Sequence, residues 1–353
     1  MAFSGPIFLC GTSRSGTTLL KGALDKSPRI LISPETHYFD DLRVSLGPSK
    51  WSAPLSPAEE RRVQDYFLAL SHRPFGHQGN PEEGWMKRAN LEARARALGG
   101  TPDDYFRAFC LEGCAQKDAD IWGEKTPRHV FRLEEMLTLY PNAKAIFMLR
   151  DPRAVVASYR DWKDQGGFDF ESDPEHRKAL EDEHERTRRS YHPVTISLLW
   201  VAAARAASQA QHRFGPDRVR LQRYEVLCDR PEEELTKIFA WLGVDCPANP
   251  TEVAITNSSY EEHRAKGGFV RGAMDRWRKT VSQPELAVIE RCCGSLLQSM
   301  GYESVQPQAA AWQTGRYYLT ATPAIIRAAI LNARRSGNMT QYLARRARLV
   351  LGR

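Results

Sequence analysis

Residues 7–18 restrict what this chain can fold into more than any other stretch. Ile7-Phe8-Leu9-Cys10 is an unbroken apolar run, the mark of a strand buried on both faces. Gly11-Thr12-Ser13-Arg14-Ser15-Gly16-Thr17-Thr18 follows, and then Leu19, Leu20, Ala23 and Leu24 recur at helical spacing, so a helix opens between Ser15 and Thr18. Strand, glycine-containing loop and helix N-terminus in succession aim unpaired backbone N–H groups at one point, and such a point binds phosphate. Arg14 adds a cation, and Thr17 and Thr18 add hydroxyls. The ordinary nucleoside-triphosphate loop, G-x-x-x-x-G-K-[ST], has Lys where Thr17 stands here. The loop reads as a phosphate cradle not built for ATP.

The pattern returns at Ala143–Leu149, a second apolar strand that runs into Arg150-Asp151-Pro152-Arg153 and then a helix from Ala154. Shorter strands are predicted at Ile30–Ile32, from Ile121, and within 218–223, with helices over 19–30, 130–140, 194–213, 232–243 and 284–300. Repeated strand–loop–helix units predict an α/β fold, a central parallel sheet flanked by helices, whose ligands collect outside the carboxyl ends of the strands. Arg150 at a strand end and Ser158 on the next helix could grip one anion beside the first loop. Residues 41–120 read as a helical insertion with Pro/Gly-rich breaks. Trp51, Trp85 and Arg88 in those breaks either wall an acceptor cleft or belong to surface loops. The charged stretch 164–192, opening on Gly166-Gly167, suits an exposed helix or a mobile lid.

The net charge of +7 over 353 residues is unevenly distributed. From Ser304 onward there are eight Arg and no Lys, Asp or Glu, so residues 1–303 form a nearly neutral body and 304–353 a basic helical extension. Helical spacing over Pro323–Arg335 sets Ala324, Ile325, Ala328, Ala329 and Leu331 opposite Arg327, Arg334 and Arg335, and a second basic helix covers Thr340–Leu351. Two readings stay open: helices lying on an anionic membrane, or a pair packed on the body with its Arg face in water. Aromatic residues do not interleave with these charges as a stacking platform for nucleic acid requires. No eighteen-residue apolar run occurs, and the first strand starts too early to leave room for a signal peptide. The seven cysteines are scattered without disulfide or metal-site spacing. A cytoplasmic protein is expected, peripheral at the inner membrane surface if its tail binds lipid.

Two anion sites side by side suit a nucleotide phosphorylated at both ends of its ribose, and at this point the chain resembles the sulfotransferases that use 3′-phosphoadenosine 5′-phosphosulfate (PAPS). Arg14-Ser15-Gly16-Thr17-Thr18 is similar to their 5′-phosphosulfate loop, and Met148–Arg153 with Ser158 to their 3′-phosphate motif. Arg223-Tyr224-Glu225-Val226-Leu227 resembles a stretch whose Tyr lies near the nucleotide, and Arg271-Gly272 through Trp277-Arg278 is a degenerate match to a late loop that closes on the 3′-phosphate. Glu35-Thr36 lies 21 residues after Arg14, as a Glu-Thr does in tyrosylprotein sulfotransferases, and Glu35–Asp40 is similar to the Glu-x-His-Phe-Phe-Asp pattern of heparan sulfate O-sulfotransferases. The resemblance spans about residues 5–303.

It implies sulfonate transfer from PAPS to an acceptor hydroxyl of carbohydrate, lipid, small molecule or protein tyrosine, with adenosine 3′,5′-bisphosphate as product and no metal. Glu35 would be the general base, Arg14 would face the leaving group, and Lys125 would assist the sulfonate, its plainer role being a salt bridge to Glu124. Ser13, Arg14, Ser15, Gly16, Thr17, Thr18, Arg150, Ser158, Tyr224 and Arg271 would bind the nucleotide. Asp40 would pair with His37 or substrate, or hold the loop. A P-loop-type small-molecule kinase, disfavoured by Thr17, and a membrane-associated nucleotide-binding protein without turnover are the alternatives.

Overall fold

Five parallel strands form one sheet: β1 (Ile7–Gly11), β2 (Ile30–Ser33), β3 (Ile121–Lys125), β4 (Lys144–Leu149) and β5 (Val219–Arg223), in the order β2-β3-β1-β4-β5. The computed structural model describes residues 3–73, 79–165, 173–254, 268–332 and 339–352. Gly166, Gly167, Arg334 and Arg335 lie outside the described residues.

Every residue of β1 is buried, with alternate side chains serving opposite faces. Phe8 and Cys10 join Ala145, Phe147 and Leu149 of β4 and Trp122 of β3 in one core layer. Ile7 and Leu9 join Ile146, Met148 and Ile121 in the other. The second layer is closed by α1 (Thr17–Leu24) and by two later helices described below. Between β2 and β3 come α2 (Leu42–Leu46), α3 (Pro57–His72), α4 (Arg88–Leu98) and α5 (Pro102–Lys117). Ser56 and Thr101 cap α3 and α5 in reciprocal capping boxes with Glu59 and Asp104. These two helices supply Phe67, Phe106 and Phe109 to an aromatic cluster in which Tyr38 stacks on Phe106 with centroids 4.9 Å apart.

α6 (Leu133–Leu139), α7 (Pro152–Gln165), α8 (Pro174–Ser190) and α9 (Pro193–Phe214) lead to β5. After β5, α10 (Tyr224–Asp229) and α11 (Pro231–Leu242) close the second core layer. Two short turns, α12 (Gly272–Asp275) and α13 (Trp277–Thr280), precede α14 (Gln283–Ser299), α15 (Ala311–Leu331) and α16 (Met339–Leu351).

Three boundaries differ from the sequence pattern. The first helix ends at Leu24 rather than near residue 30, because Lys117 Nζ binds the carbonyls of Asp25, Ser27 and Ile30 and the Asp25 carboxylate accepts the Ile32 N–H (2.8 Å). These groups therefore serve the turn. The helix expected over 130–140 is a 3₁₀ turn at Pro127–Arg132 followed by α6. In the tail, Pro323 lies inside α15 instead of opening it. Its ring removes one helical hydrogen bond, and its exposed position lets water take up the freed carbonyl.

The tail helices pack on the body. Ala321, with Tyr317 and Tyr318, meets Val194 of α9 and Val288 of α14, and Arg205 donates to the carbonyls of Leu349 (2.9 Å) and Val350 (2.5 Å) in α16. Among the described residues no helix is long and apolar enough to cross a membrane. Phe106→Ala removes a fully buried ring that touches Tyr38, Phe39, Phe67 and Trp122. It should destabilise the fold by about 3–5 kcal/mol in urea unfolding.

Candidate active site

Parallel strands end on one edge, so the loops after β1, β2, β3, β4 and β5 open side by side. After β1, Arg14 (φ 70°) and Gly16 (φ 86°) both take left-handed backbone conformations before α1 begins. Gly16 is required there. A Cβ at this position would meet the Tyr224 ring at 2.5 Å. Ser15 and Thr17 are buried, Ser13 is exposed, and Thr12 and Ser15 hydroxyls bond each other within the loop.

The loop after β4 reaches across to the first. Arg150 Nη1 donates to the Arg14 carbonyl (2.7 Å), and its guanidinium lies over the Tyr224 ring at 4.5 Å. The Arg150 carbonyl in turn accepts from Trp200 Nε1 (2.8 Å), which fixes the strand end against α9. Arg14 Nε donates to Ser158 Oγ on α7 (3.2 Å), and the same guanidinium lies 5.7 Å from the centre of the Trp162 ring. Two arginines and a buried hydroxyl thus gather at one mouth.

On the other side, β3 presents Glu124 and Lys125 to opposite faces of the sheet, as consecutive strand residues must. Glu124 is buried and accepts from the Thr36 N–H (3.0 Å), Thr36 Oγ1 (2.8 Å) and Thr126 Oγ1, with His129 Nδ1 at 3.0 Å from its other oxygen. Burial works against its charge, but His129 and these hydrogen bonds outweigh it and hold the carboxyl below its ordinary value. Lys125 instead donates to Glu35 Oε1 (2.5 Å) and lies 3.4 Å from Thr18 Oγ1. His37 Nε2 is 3.3 Å from the other Glu35 oxygen. Burial pushes the Glu35 carboxyl up, yet Lys125 and His37 together prevail and hold it far below the usual carboxylate range. Burial and the nearby Arg128 push His37 down, so its imidazole is neutral at pH 7 and donates to Glu35.

A sequence profile of the sulfotransferase family matches residues 6–248, more than half of the chain. The chain belongs to the sulfotransferase family. It is 28% identical over 312 residues to the nodulation protein NoeE of Sinorhizobium fredii, covering 84% of this chain and 65% of that protein. It is also 28% identical over 245 residues to a protein-tyrosine sulfotransferase of Drosophila melanogaster, covering 67% and 38%. The chain therefore spans less than two thirds of the length of either relative. The solved sulfotransferase domain from the curacin biosynthetic pathway shares the fold, with a TM-score of 0.52 at 16% identity, covering 86% of this chain and all of that domain.

Within this chain the sites proposed from sequence lie as follows. Glu35, Lys125 and Thr18 form one contact chain, and Arg14, Ser158, Arg150 and Tyr224 form another, joined through the loop 13–18. Arg271 lies apart from both contact chains, exposed and paired with Asp229 at the end of α10 (3.1 Å). Asp40 binds Arg128 and Arg132 rather than His37. Of the residues set in the insertion breaks, Trp51 stacks on Arg43 at 3.8 Å and Arg88 pairs with Asp65 and Glu82. Sequence reasoning did not single out Trp162, Trp200 or the Glu124–His129 pair. The alternation of Glu124 and Lys125 on a strand was the available signal for the last.

Lys125→Met leaves burial opposed chiefly by His37, so Glu35 should titrate at distinctly higher pH than in the wild type. Carboxyl-carbon NMR titration reads this directly. The wild-type carboxylate is depressed from its ordinary 4.5, so its stabilising contribution is complete above that value and is lost as pH falls toward the folded value. The variant should lose this acid sensitivity.

Proposed function

We propose that this chain catalyses transfer of a sulfonate group from PAPS to an acceptor hydroxyl, with Glu35 as general base. The observation that carries the reading is the continuous set of contacts from Glu35 through Lys125 and Thr18 to the loop 13–18, and from there to Arg150, Ser158 and Tyr224. It joins a carboxylate to a cradle of cations and hydroxyls large enough in chemical variety for a nucleotide phosphorylated at two positions.

When bound, PAPS supplies an activated sulfonate whose transfer to oxygen is an in-line displacement. The 13–18 backbone with Ser15, Thr17 and Thr18 holds the 5′ end of the nucleotide. Arg150 and Ser158 hold its 3′-phosphate, with Tyr224 beside them. Arg14 neutralises the negative charge that grows on the departing oxygen. Lys125 has two roles that exclude each other. While paired with Glu35 it keeps that carboxylate a weak base, and once drawn toward the anionic donor it leaves Glu35 free to accept the acceptor's proton. Proton transfer is thereby coupled to occupancy of the donor site.

Calorimetry with adenosine 3′,5′-bisphosphate and with ATP tests the ligand. The bisphosphate should bind at least about tenfold more tightly, and Arg150→Ala should weaken it by a similar factor or more, since a charged hydrogen bond is lost. Equal affinity for the two nucleotides overturns the assignment. Transfer from labelled PAPS to host lipid, glycan and protein fractions then identifies the acceptor. On that acceptor Glu35→Gln should lower kcat by about 10²–10⁴-fold with bisphosphate affinity unchanged. A loss below about threefold removes the base role. Arg14→Ala should lower kcat by about 10²-fold, and an effect confined to KM would remove its charge-stabilising role.

A further inference from the structure

α15 carries two apolar faces. One is spent on the body: Tyr317, Tyr318 and Ala321 pack against α9 and α14, Ala324 is buried, and Thr320 Oγ1 bonds His192 Nε2 (3.1 Å). On the opposite side Trp312, Leu319, Ile326 and Ile330 are exposed by 73%, 82%, 55% and 69%. Their spacing of seven, seven and four residues keeps them on one line along the helix axis. Four large apolar side chains in a row on a solvent face form a patch of the kind that marks an interaction surface, unlike singly scattered hydrophobic residues.

The flank of this stripe is cationic. Arg316 and Arg327, both exposed, sit four and one residues after Trp312 and Ile326 and project to the same side of the line. No Asp, Glu or Lys occurs anywhere from 304 to 353. A partner protein that buried this stripe would be expected to meet a mixture of charges. A helix that itself offers apolar residues with Arg and no acid is complementary to a layer that is anionic on the outside and apolar beneath. Trp312 at one end is a residue type that favours the boundary between headgroups and acyl chains.

We propose that α15 lies in the plane of an anionic lipid bilayer, with Trp312, Leu319, Ile326 and Ile330 at the acyl boundary and Arg316 and Arg327 among the headgroups. The helix stays packed on the body while it does so, because its lipid-facing stripe is opposite its packed face. Binding needs no unfolding and no separation of the tail. It also stands apart from the chemistry of the candidate active site, so it can hold or fail whatever the fate of the sulfonate-transfer reading.

Sedimentation of the full chain with vesicles tests this. The wild type should sediment with vesicles of phosphatidylglycerol and phosphatidylcholine, and at least about tenfold less with phosphatidylcholine alone. L319E/I326E, at exposed positions that leave the core untouched, should lower binding to the mixed vesicles at least about tenfold with an unchanged melting temperature. R316Q/R327Q should weaken it at low salt and flatten its salt dependence. Quenching by brominated lipid, taken as the difference between wild type and Trp312→Phe, places Trp312 at the bilayer independently of variant folding. Absence of wild-type binding at low salt overturns the proposal, as does binding that survives L319E/I326E. A wild-type dimer that L319E/I326E converts to monomer in sedimentation velocity would also overturn it, by showing the stripe to be an interface between copies of the chain.

Discussion

A carboxylate with almost no solvent access must find its hydrogen bonds inside the protein, and Glu124 finds them in the segments that follow β2 and β3. It holds the backbone and hydroxyl of Thr36, the hydroxyl of Thr126 and the imidazole of His129. The loop carrying Glu35 is thereby tied to β3, and Tyr66 of α3 secures it from above by donating to the Thr36 carbonyl. Removing a buried partner of this kind leaves the rest uncompensated and typically costs about 3–5 kcal/mol. Because strand residues alternate, satisfying Glu124 on one face delivers Lys125 to the other, within reach of both Glu35 and the first loop. One buried charge thus sets the position of two functional groups at the strand ends.

The electrostatic state of Glu35 follows from the same arrangement. A carboxylate this buried would be neutral on its own, and it is the Lys125 ammonium and the His37 N–H that keep it ionised. An ionised but tightly paired carboxylate is oriented and chemically quiet. In the proposed reaction this is useful, since a free base beside an activated sulfonate would also promote its loss to water. In that proposal, pairing the base with the cation that would assist the donor makes the two groups answer to one event.

The fold was legible because buried parallel strands leave continuous apolar runs, as in Ile7–Cys10 and Ala143–Leu149, and because each ran straight into a polar loop and a helix. The gathering of Arg14, Arg150, Ser158 and Tyr224 was legible for the same reason, given that such loops share an edge. What local pattern did not reveal were tertiary captures. Lys117, distant in sequence, ends α1 early by binding three carbonyls. Glu124 looked like a salt-bridge partner for its neighbour Lys125, and only the pleat of a strand separates them. Trp200 supports Arg150 from fifty residues away, with no signal in the sequence around either residue.

In the tail, one proline conceals the turns of helix that precede it. Taking Pro323 as a helix start confined the pattern to the segment after it, where one apolar face is opposed by Arg. With the helix beginning at Ala311, roughly three more turns of helix come into phase, and a second apolar line emerges that the shorter segment could not display. A helix apolar on two sides is ordinarily buried on both. α15 is buried on one, with its remaining charge entirely positive. A helix that already had its packing partner would gain nothing in water from Trp312, Leu319, Ile326 and Ile330 in a row. Those residues make physical sense where the medium beyond them is apolar and its rim is negative.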